Sequence, residues 1–215
     1  MHSCPLCDDQ QSRLFFEDKN RQYFQCSQCH LVFADPAKLL SPELEKEVYN
    51  QHENNPEDQG YRQFLNRLAQ PLLDHLGHPP LLGLDFGSGP GPTLSIMLQE
   101  AGHQMAIYDP YFSPDKTVLE AGKYDFVTCT EAIEHFYQPS IEWQLLLSLV
   151  KKGGWLAIMT KMATNVDAFA KWHYKNDPTH VSFFSRETFM FLARRDGLEL
   201  EFVGSDVILF RKCQS

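Results

Sequence analysis

The sequence has no long apolar run and no excess of positive charge, and each absence excludes a class of protein. No apolar stretch approaches the ~18 residues that a membrane-spanning helix needs. The start of the chain has no apolar region typical of signal peptides, so we expect a cytoplasmic protein. The 215 residues hold 19 Lys and Arg against 28 Asp and Glu, and the net charge of -9 opposes non-specific binding to nucleic-acid phosphates. The length suits one sizeable domain plus a small module.

Four of the six cysteines form two close pairs near the start of the chain. Cys4 and Cys7, then Cys26 and Cys29, make two C-x2-C turns with eighteen residues between them. Each turn lets two thiolates reach one tetrahedral ion, so two turns complete a closed shell. Iron takes the same four ligands, and two disulfides are disfavoured in a reducing compartment. We predict a structural zinc ribbon over residues 1–36, whose three basic and five acidic side chains do not favour a nucleic-acid grip.

The segment LDFGSGPGP is the most informative stretch of the remaining chain. An apolar run ends at Asp85, and glycines follow at alternate positions from Gly87 to Gly91. Such glycines bring bare backbone against a ligand, and Pro92 suits the first position of the next helix. Pro92 stands where the dinucleotide fingerprint needs its third glycine. A strand, a binding loop and a helix are therefore predicted, for a ligand with a positive end beside the carboxylate. A tight turn with no ligand is the alternative.

Strand and helix patterns alternate after this loop. This order predicts an α/β fold, a Rossmann-like doubly wound and mostly parallel sheet, with a C-terminal antiparallel hairpin at its edge. We expect three parts in the chain: the zinc ribbon, a helical connector over residues 37–78, and the α/β domain over residues 79–215.

Several local signals refine this prediction. Pro71 is expected to interrupt a helix in the connector, because proline lacks the N–H that a helix interior uses. Gly153 and Gly154 are expected to end another helix. Cys129 and Cys213 stand alone in apolar surroundings and are expected in the core.

The glycine loop resembles the first motif of class I S-adenosylmethionine (SAM)-dependent methyltransferases, and the similarity covers residues 81–212. The resemblance implies that the loop backbone faces the methionine part of SAM, that Asp85 lies near its amino group, and that Asp109 holds its ribose. The expected cofactor-binding residues are Asp85, Gly87, Ser88, Gly89, Gly91 and Asp109. Only fifteen residues, 110–124, separate Asp109 from Asp125 in the next clear strand, so the family's usual third strand is very short or missing. The adenine contact is unassigned, although Tyr111 or Phe112 would suit stacking.

A second polar cluster, TEAIEH, follows the strand predicted to end at Cys129. On one helical turn, Glu131 would be a neighbour of Glu134 and of His135. The E-x-x-E-H pattern resembles the ubiquinone-pathway O-methyltransferases and the plant small-RNA 2′-O-methyltransferases. The second resemblance implies a divalent ion such as Mg²⁺ on this motif and a distant histidine, here His180. The alternatives are His135 as a direct general base, and structural roles for all four residues.

Two further segments are candidates for covering the site. One is the aromatic and polar stretch over residues 171–177, whose rings would otherwise be core residues. The other runs from Tyr49 to Tyr61 and includes His52, Asn54 and Asn55.

The sequence thus predicts a SAM-dependent methyltransferase that methylates an oxygen of a small hydroxylated acceptor. One alternative is an RNA methyltransferase whose ribbon recognises structure, by analogy with the zinc-ribbon guanine methyltransferases of ribosomal RNA. Another is a scaffold protein that keeps the fold without turnover, which the short region after Asp109 favours. A nicotinamide-dependent oxidoreductase is a further alternative that Pro92 disfavours.

Overall fold

The structure is a computed structural model that describes residues 2–49 and 55–214. Within these ranges, ten strands form two sheets, and six α-helices surround them. The strands are β1 (Ser12–Glu17), β2 (Gln22–Cys26), β3 (Val32–Ala34), β4 (Leu82–Phe86), β5 (Gln104–Tyr108), β6 (Tyr124–Thr130), β7 (Val150–Met159), β8 (Ser182–Phe183), β9 (Leu198–Val203) and β10 (Val207–Lys212). The helices are α1 (Pro42–Tyr49), α2 (Gln59–His75), α3 (Thr93–Glu100), α4 (Pro139–Leu149), α5 (Val166–Ala170) and α6 (Arg186–Asp196). None of the described helices is long and apolar enough to cross a bilayer.

The larger sheet has the strand order β5-β4-β6-β7-β10-β9. Its first four strands are parallel, and β10 runs antiparallel to both β7 and β9. This arrangement confirms the predicted α/β class with a C-terminal antiparallel hairpin. Residues 110–123, which are all described, contain a short 3-10 turn at Lys116–Val118 and an isolated bridge between Ser113 and Asp109, but no strand. The third strand is therefore missing, and β5 forms the edge of the sheet.

Both faces of this sheet are buried, because successive strand residues point to opposite sides. On β6, Phe126 packs against α2 and α3 in one apolar cluster, whereas its neighbour Val127 packs with α4 and α6 in another. Ile208 and Leu209 on β10 divide in the same way. Helices on both faces leave the ends of the strands as the place for a site.

The smaller sheet joins the cysteine-rich segment to a distant part of the chain. Its order is β1-β2-β3-β8, with every pair antiparallel. The last strand pairs Val32 with Phe183 and Phe33 with Ser182. The predicted ribbon is thus completed by a strand that follows His180.

Two expectations about helix boundaries were wrong. Helix α2 continues through Pro71, since Leu68 and Leu72 on its inner face are fully buried and their packing offsets the missing hydrogen bond. Helix α4 ends at Leu149, before the glycines, and β7 runs through Gly153 and Gly154. A Cβ on Gly154 would lie 2.6 Å from the Asp125 carbonyl oxygen, so this glycine permits close packing rather than ending a helix.

Two smaller corrections concern single residues. Pro92 precedes the first helical residue of α3 instead of occupying it. Cys129 is fully buried as expected, but Cys213 is exposed, because it lies beyond the end of β10. Its thiol is 3.1 Å from the carbonyl oxygen of Gly197.

Candidate functional site

The four N-terminal cysteines converge on one point. The Sγ atoms of Cys4 and Cys29 are 3.5 Å apart, as are those of Cys7 and Cys26. All four Sγ atoms lie within 4.8 Å of one another. Zinc–sulfur bonds of about 2.3 Å place tetrahedral sulfurs about 3.8 Å apart, so the arrangement fits a closed four-thiolate site.

The two cysteine turns have the same backbone conformation. The residue after the second cysteine of each turn, Asp8 and His30, has a positive φ of 60° and 61°. The N–H of each donates to the carbonyl oxygen of the first cysteine in its turn, at 3.0 Å to Cys4 and 3.2 Å to Cys26. Two equivalent turns that present their thiolates to one centre fit a small zinc ribbon.

The glycine loop lies where three strand ends meet. The N–H groups of Gly87 and Ser88 donate to the carbonyl oxygen of Tyr108 at the end of β5, at 2.8 and 3.3 Å. Gly87 has a φ of +78°, and a Cβ on it would lie 2.5 Å from the Cβ of Ala132, which follows β6. After β5 the chain crosses over to form β6 on the other side of β4, so the strand order reverses at the end of β4. Ligands bind at such switch points in open α/β sheets.

Asp109 holds the loop rather than projecting freely. Its Oδ2 accepts the N–H of Gly89 at 3.0 Å, and its Oδ1 accepts those of Tyr111 and Phe112 at 2.9 and 3.0 Å. A carboxylate has about four acceptor positions, so about one remains for a ligand hydroxyl. The side chain is 7% exposed, and it joins the glycine loop to the end of β5.

Asp85 places a buried carboxyl group beneath the loop. Its Oδ1 accepts the hydroxyl of Thr128 on β6 at 2.8 Å. Burial raises the pKa of Asp85 to about 6, and the nearby Asp109 charge adds to the effect. Burial, with the charges of Asp85 and Glu131, also raises the pKa of Tyr61 on α2 to about 12. The buried Oγ of Ser88 has no hydrogen-bond partner among the described residues. This acidic pocket with an unsatisfied hydroxyl suits a positively charged polar ligand.

Glu131 has an unusual backbone conformation for its residue type. Its φ is +46°, and its N–H donates to the carbonyl oxygen of Met159 at the end of β7. It therefore lies outside the helical turn expected for it, since only Ile133–His135 form a 3-10 turn. Within the described structure, its Oε1 is buried without a hydrogen-bond partner. Burial and the neighbouring Glu134 raise the pKa of Glu131 to about 8. A positive φ and an unsatisfied buried oxygen at one residue make Glu131 a candidate functional residue.

Three of the four residues that the sequence grouped, Glu134, His135 and His180, lie close together, and Glu131 is not part of this set of ligand atoms. One ligand atom of each of the three lies within 4.8 Å of the other two. Nδ1 of His180 lies 2.7 Å from the Tyr174 carbonyl oxygen, and Nδ1 of His135 lies 3.2 Å from that of Thr179. A carbonyl oxygen can only accept, so these contacts place the proton on Nδ1 and make Nε2 the basic nitrogen of each ring. Burial, with the His135 charge, lowers the pKa of His180 to about 4.

Tyr174 connects this group to Glu131. Its hydroxyl donates to Glu134 in a short hydrogen bond and lies 3.2 Å from Oε2 of Glu131. The hydroxyl of Thr160 also donates to Glu134, at 2.9 Å. Burial raises the pKa of Glu134 to about 7 despite these bonds. The sequence placed Tyr174 in a candidate covering segment but did not identify this contact.

Helix α1 packs over the same region, which the sequence treated as a connector. The ring of Tyr49 lies 5.2 Å from that of His135 and 5.2 Å from that of Tyr111. Glu45 accepts hydrogen bonds from Tyr49 and Tyr111 at 3.0 and 2.8 Å. The end of α1 and the start of α2 therefore both lie at the site. Of the polar residues suggested for the covering segment between them, His52 and Asn54 lie outside the described residues, and Asn55 is described.

A family profile described as a methyltransferase domain matches residues 51–202. The chain belongs to this methyltransferase family. The match confirms the SAM-dependent methyltransferase predicted from the glycine loop, and it decides against the oxidoreductase. No curated protein matches the chain.

Solved structures support the fold of this methyltransferase. One is the 1,6-didemethyltoxoflavin-N1-methyltransferase of Burkholderia thailandensis, 15% identical, with a TM-score of 0.57 over 92% of this chain and 98% of that chain. Another is the magnesium protoporphyrin IX methyltransferase of Synechocystis PCC 6803, 17% identical, with a TM-score of 0.53 over 79% of this chain and 93% of that chain. At these identities, the likeness establishes the fold alone.

Proposed function

We propose that this methyltransferase transfers the methyl group of SAM to a hydroxyl oxygen of a small-molecule acceptor. The observation that carries the proposal is the convergence of one carboxyl group and two imidazoles, from Glu134, His135 and His180, within 4.8 Å. This group begins two residues after Ala132, which touches the glycine loop at Gly87. A group that accepts a proton or holds a cation thus lies beside the expected methyl donor.

SAM is proposed to bind over the glycine loop. The unsatisfied Ser88 hydroxyl and the buried carboxyl groups of Asp85 and Glu131 suit its ammonium and sulfonium charges. Asp109 retains one acceptor position for the ribose, and Tyr111 adjoins it. The two solved neighbours were each obtained with bound S-adenosylhomocysteine, which supports a cofactor site in this fold.

The proposed reaction needs little from the protein beyond alignment and proton removal. The acceptor oxygen attacks the methyl carbon in line, the sulfur–methyl bond breaks, and its electron pair stays on sulfur. The hydroxyl proton leaves to a base, for which Nε2 of His135 is suited because its Nδ1 carries the proton held by Thr179. Glu134 and His180 then hold this ring and the acceptor in place.

The same three residues would hold a divalent cation. Two imidazoles with one carboxylate suit Mn²⁺, Fe²⁺ or Zn²⁺ better than Mg²⁺, which prefers oxygen ligands. A bound cation would lower the pKa of an acceptor hydroxyl. Both histidines have the backbone hydrogen bond at Nδ1 that orients metal-binding imidazoles. This favours the alternative in which Nε2 of His135 binds the cation instead of accepting the hydroxyl proton.

Calorimetric titration with SAM tests the cofactor half of the proposal. We expect binding to the wild type, and a loss of at least about tenfold in affinity for Asp109→Ala, since a hydrogen bond to a charged group contributes about 1.5–3 kcal/mol. The control is Asp115→Ala, an exposed carboxylate whose described bonds are to Thr117. A folded wild type that does not bind SAM would favour the scaffold protein.

The acceptor half is tested by incubating the protein and SAM with catechols, quinols, sugars or a structured RNA, each with and without Mn²⁺. The release of S-adenosylhomocysteine is the measured product. His180→Ala should lose turnover while keeping SAM affinity. His173→Ala, an exposed histidine of the same loop, should keep both. Turnover only with RNA, weakening steeply with salt, would favour the RNA methyltransferase instead.

A further inference from the structure

Arg21 links the cysteine-rich sheet to the loop that carries Tyr174 and His180. It lies at the turn between β1 and β2, yet it is only 8% exposed. Its Nη2 donates to the carbonyl oxygens of Lys175 and Asp177 at 2.7 and 2.8 Å, and its Nη1 donates to that of Pro178 at 3.1 Å. One guanidinium thus satisfies three carbonyl groups of a single loop.

Two neighbouring residues reinforce these three hydrogen bonds from Arg21, which we call the clamp. Nε of Arg21 donates to the Tyr23 hydroxyl at 2.9 Å, and that hydroxyl donates to the same Lys175 carbonyl oxygen at 3.1 Å. Nζ of Lys175 lies 3.6 Å from Oδ2 of Asp18, in the same β1–β2 turn. The Tyr23 ring also packs on Phe183 of β8, directly beyond the loop.

The clamped loop supplies the contacts that arrange the acceptor-side residues. Its Tyr174 hydroxyl holds Glu134, and its Tyr174 and Thr179 carbonyl oxygens accept from Nδ1 of His180 and of His135. In the last two contacts the acceptor is a backbone carbonyl oxygen, so these contacts depend on the backbone conformation of the loop. The loop has only a short 3-10 turn, His173–Asn176, so the Arg21 bonds replace much of the hydrogen bonding that regular structure would provide.

We propose that Arg21 is a positioning residue of the acceptor site. It holds residues 174–180 in the conformation that fixes the proton on Nδ1 of His135 and His180 and brings both rings to Glu134. Arg21 directly precedes β2, and this strand ends at Cys26 of the four-cysteine site, so one short strand connects the two features. The cysteine-rich module thereby contributes to the arrangement of the acceptor site. This inference rests on the proposed function only for its effect on turnover.

The tautomers of the two histidines test the clamp without any acceptor. In protein with ¹⁵N-labelled histidine, long-range nitrogen–proton correlation spectra report which ring nitrogen carries the proton. We expect Nδ1–H signals for His135 and His180 in the wild type and in Arg13→Lys, an exposed arginine of the same hairpin. Arg21→Lys should shift His180 toward a mixture of tautomers, because one ammonium cannot span three carbonyl groups. Single His→Ala variants assign the signals.

Two further measurements separate the clamp from a general loss of stability. SAM affinity of Arg21→Lys should stay within about twofold of wild type, a change of about 0.4 kcal/mol, since the variant leaves the glycine loop untouched. With an acceptor in hand, kcat should fall by about 10²-fold, as small misplacements cost that much. Tyr23→Phe, which removes one hydroxyl, should give a smaller tautomer shift and decides the question if Arg21→Lys does not fold. The proposal would be overturned by a folded Arg21→Lys variant that shows the wild-type histidine signals. If Arg21→Lys does not fold, it would be overturned by a Tyr23→Phe variant with wild-type histidine signals.

Discussion

Replacing Asp85 with asparagine should make the unfolding free energy less sensitive to pH, so that the difference from the wild type moves in favour of the variant as pH rises from 4 through about 6. Burial raises the pKa of this carboxyl group to about 6, against 3.8 for the ordinary aspartate. The folded protein therefore holds this proton more tightly than the unfolded chain. The contribution of Asp85 to the free energy of unfolding is fully present below pH 3.8 and is lost as pH rises through about 6. Asparagine has no such loss.

The shift of about two pKa units sets the magnitude. At 1.36 kcal/mol per unit, the wild type loses about 2.4 kcal/mol of unfolding free energy between pH 4 and pH 7.5 that Asp85→Asn keeps. The asparagine oxygen can still accept the Thr128 hydroxyl, but its amide group adds donors that cost about 1–3 kcal/mol if unpaired. The variant is thus expected to be less stable at pH 4 and about as stable or more stable at pH 7.5.

Urea unfolding of both proteins at half-unit steps from pH 4 to 7.5 measures this difference directly. Asp125→Asn is the matched control on the neighbouring strand. Burial opposes its charge, but hydrogen bonds from Lys151 and the Leu82 N–H hold the pKa of Asp125 below its usual value. That variant should lose stability by an amount nearly independent of pH over this range. A flat or falling difference for Asp85→Asn would refute the reasoning. SAM affinity should fall in the same variant if Asp85 interacts with the positive charge of SAM as proposed.

Other predictions concern the loops. Gly87→Ala should cost about 2–5 kcal/mol in urea unfolding, because its positive φ is strained and its Cβ would meet Ala132, whereas Gly122→Ala, with a positive φ but open space, should cost only about 1–2 kcal/mol. Equal costs would show that the contact with Ala132 is unimportant. Cys29→Ser should lower bound zinc from one atom per chain and reduce the melting temperature, whereas the exposed Cys213→Ser should change neither. Elemental analysis decides this, and a full zinc content in Cys29→Ser would contradict the four-thiolate site.

Short-range chemistry made much of the molecule predictable. Two residues between cysteines and alternate glycines after an apolar run are constraints that act within a few positions, so the ribbon turns and the loop at Gly87 could be foreseen. The doubly wound sheet followed from alternating strand and helix patterns, and the gap after Asp109 correctly indicated an absent or very short third strand. Where packing overrode local propensity, as at Pro71 inside α2, the sequence misled.

The amino-acid sequence by itself determined the fold class, the glycine loop and the grouping of Glu134 and His135 in one motif. Tertiary structure alone decided which distant groups meet them. The Tyr174 hydroxyl reaches Glu134 across 40 positions, and Arg21 reaches the Pro178 carbonyl across 157. Such contacts leave no periodic signal in the chain, because backbone carbonyl groups are the same at every residue and only folding brings a particular one to a particular side chain.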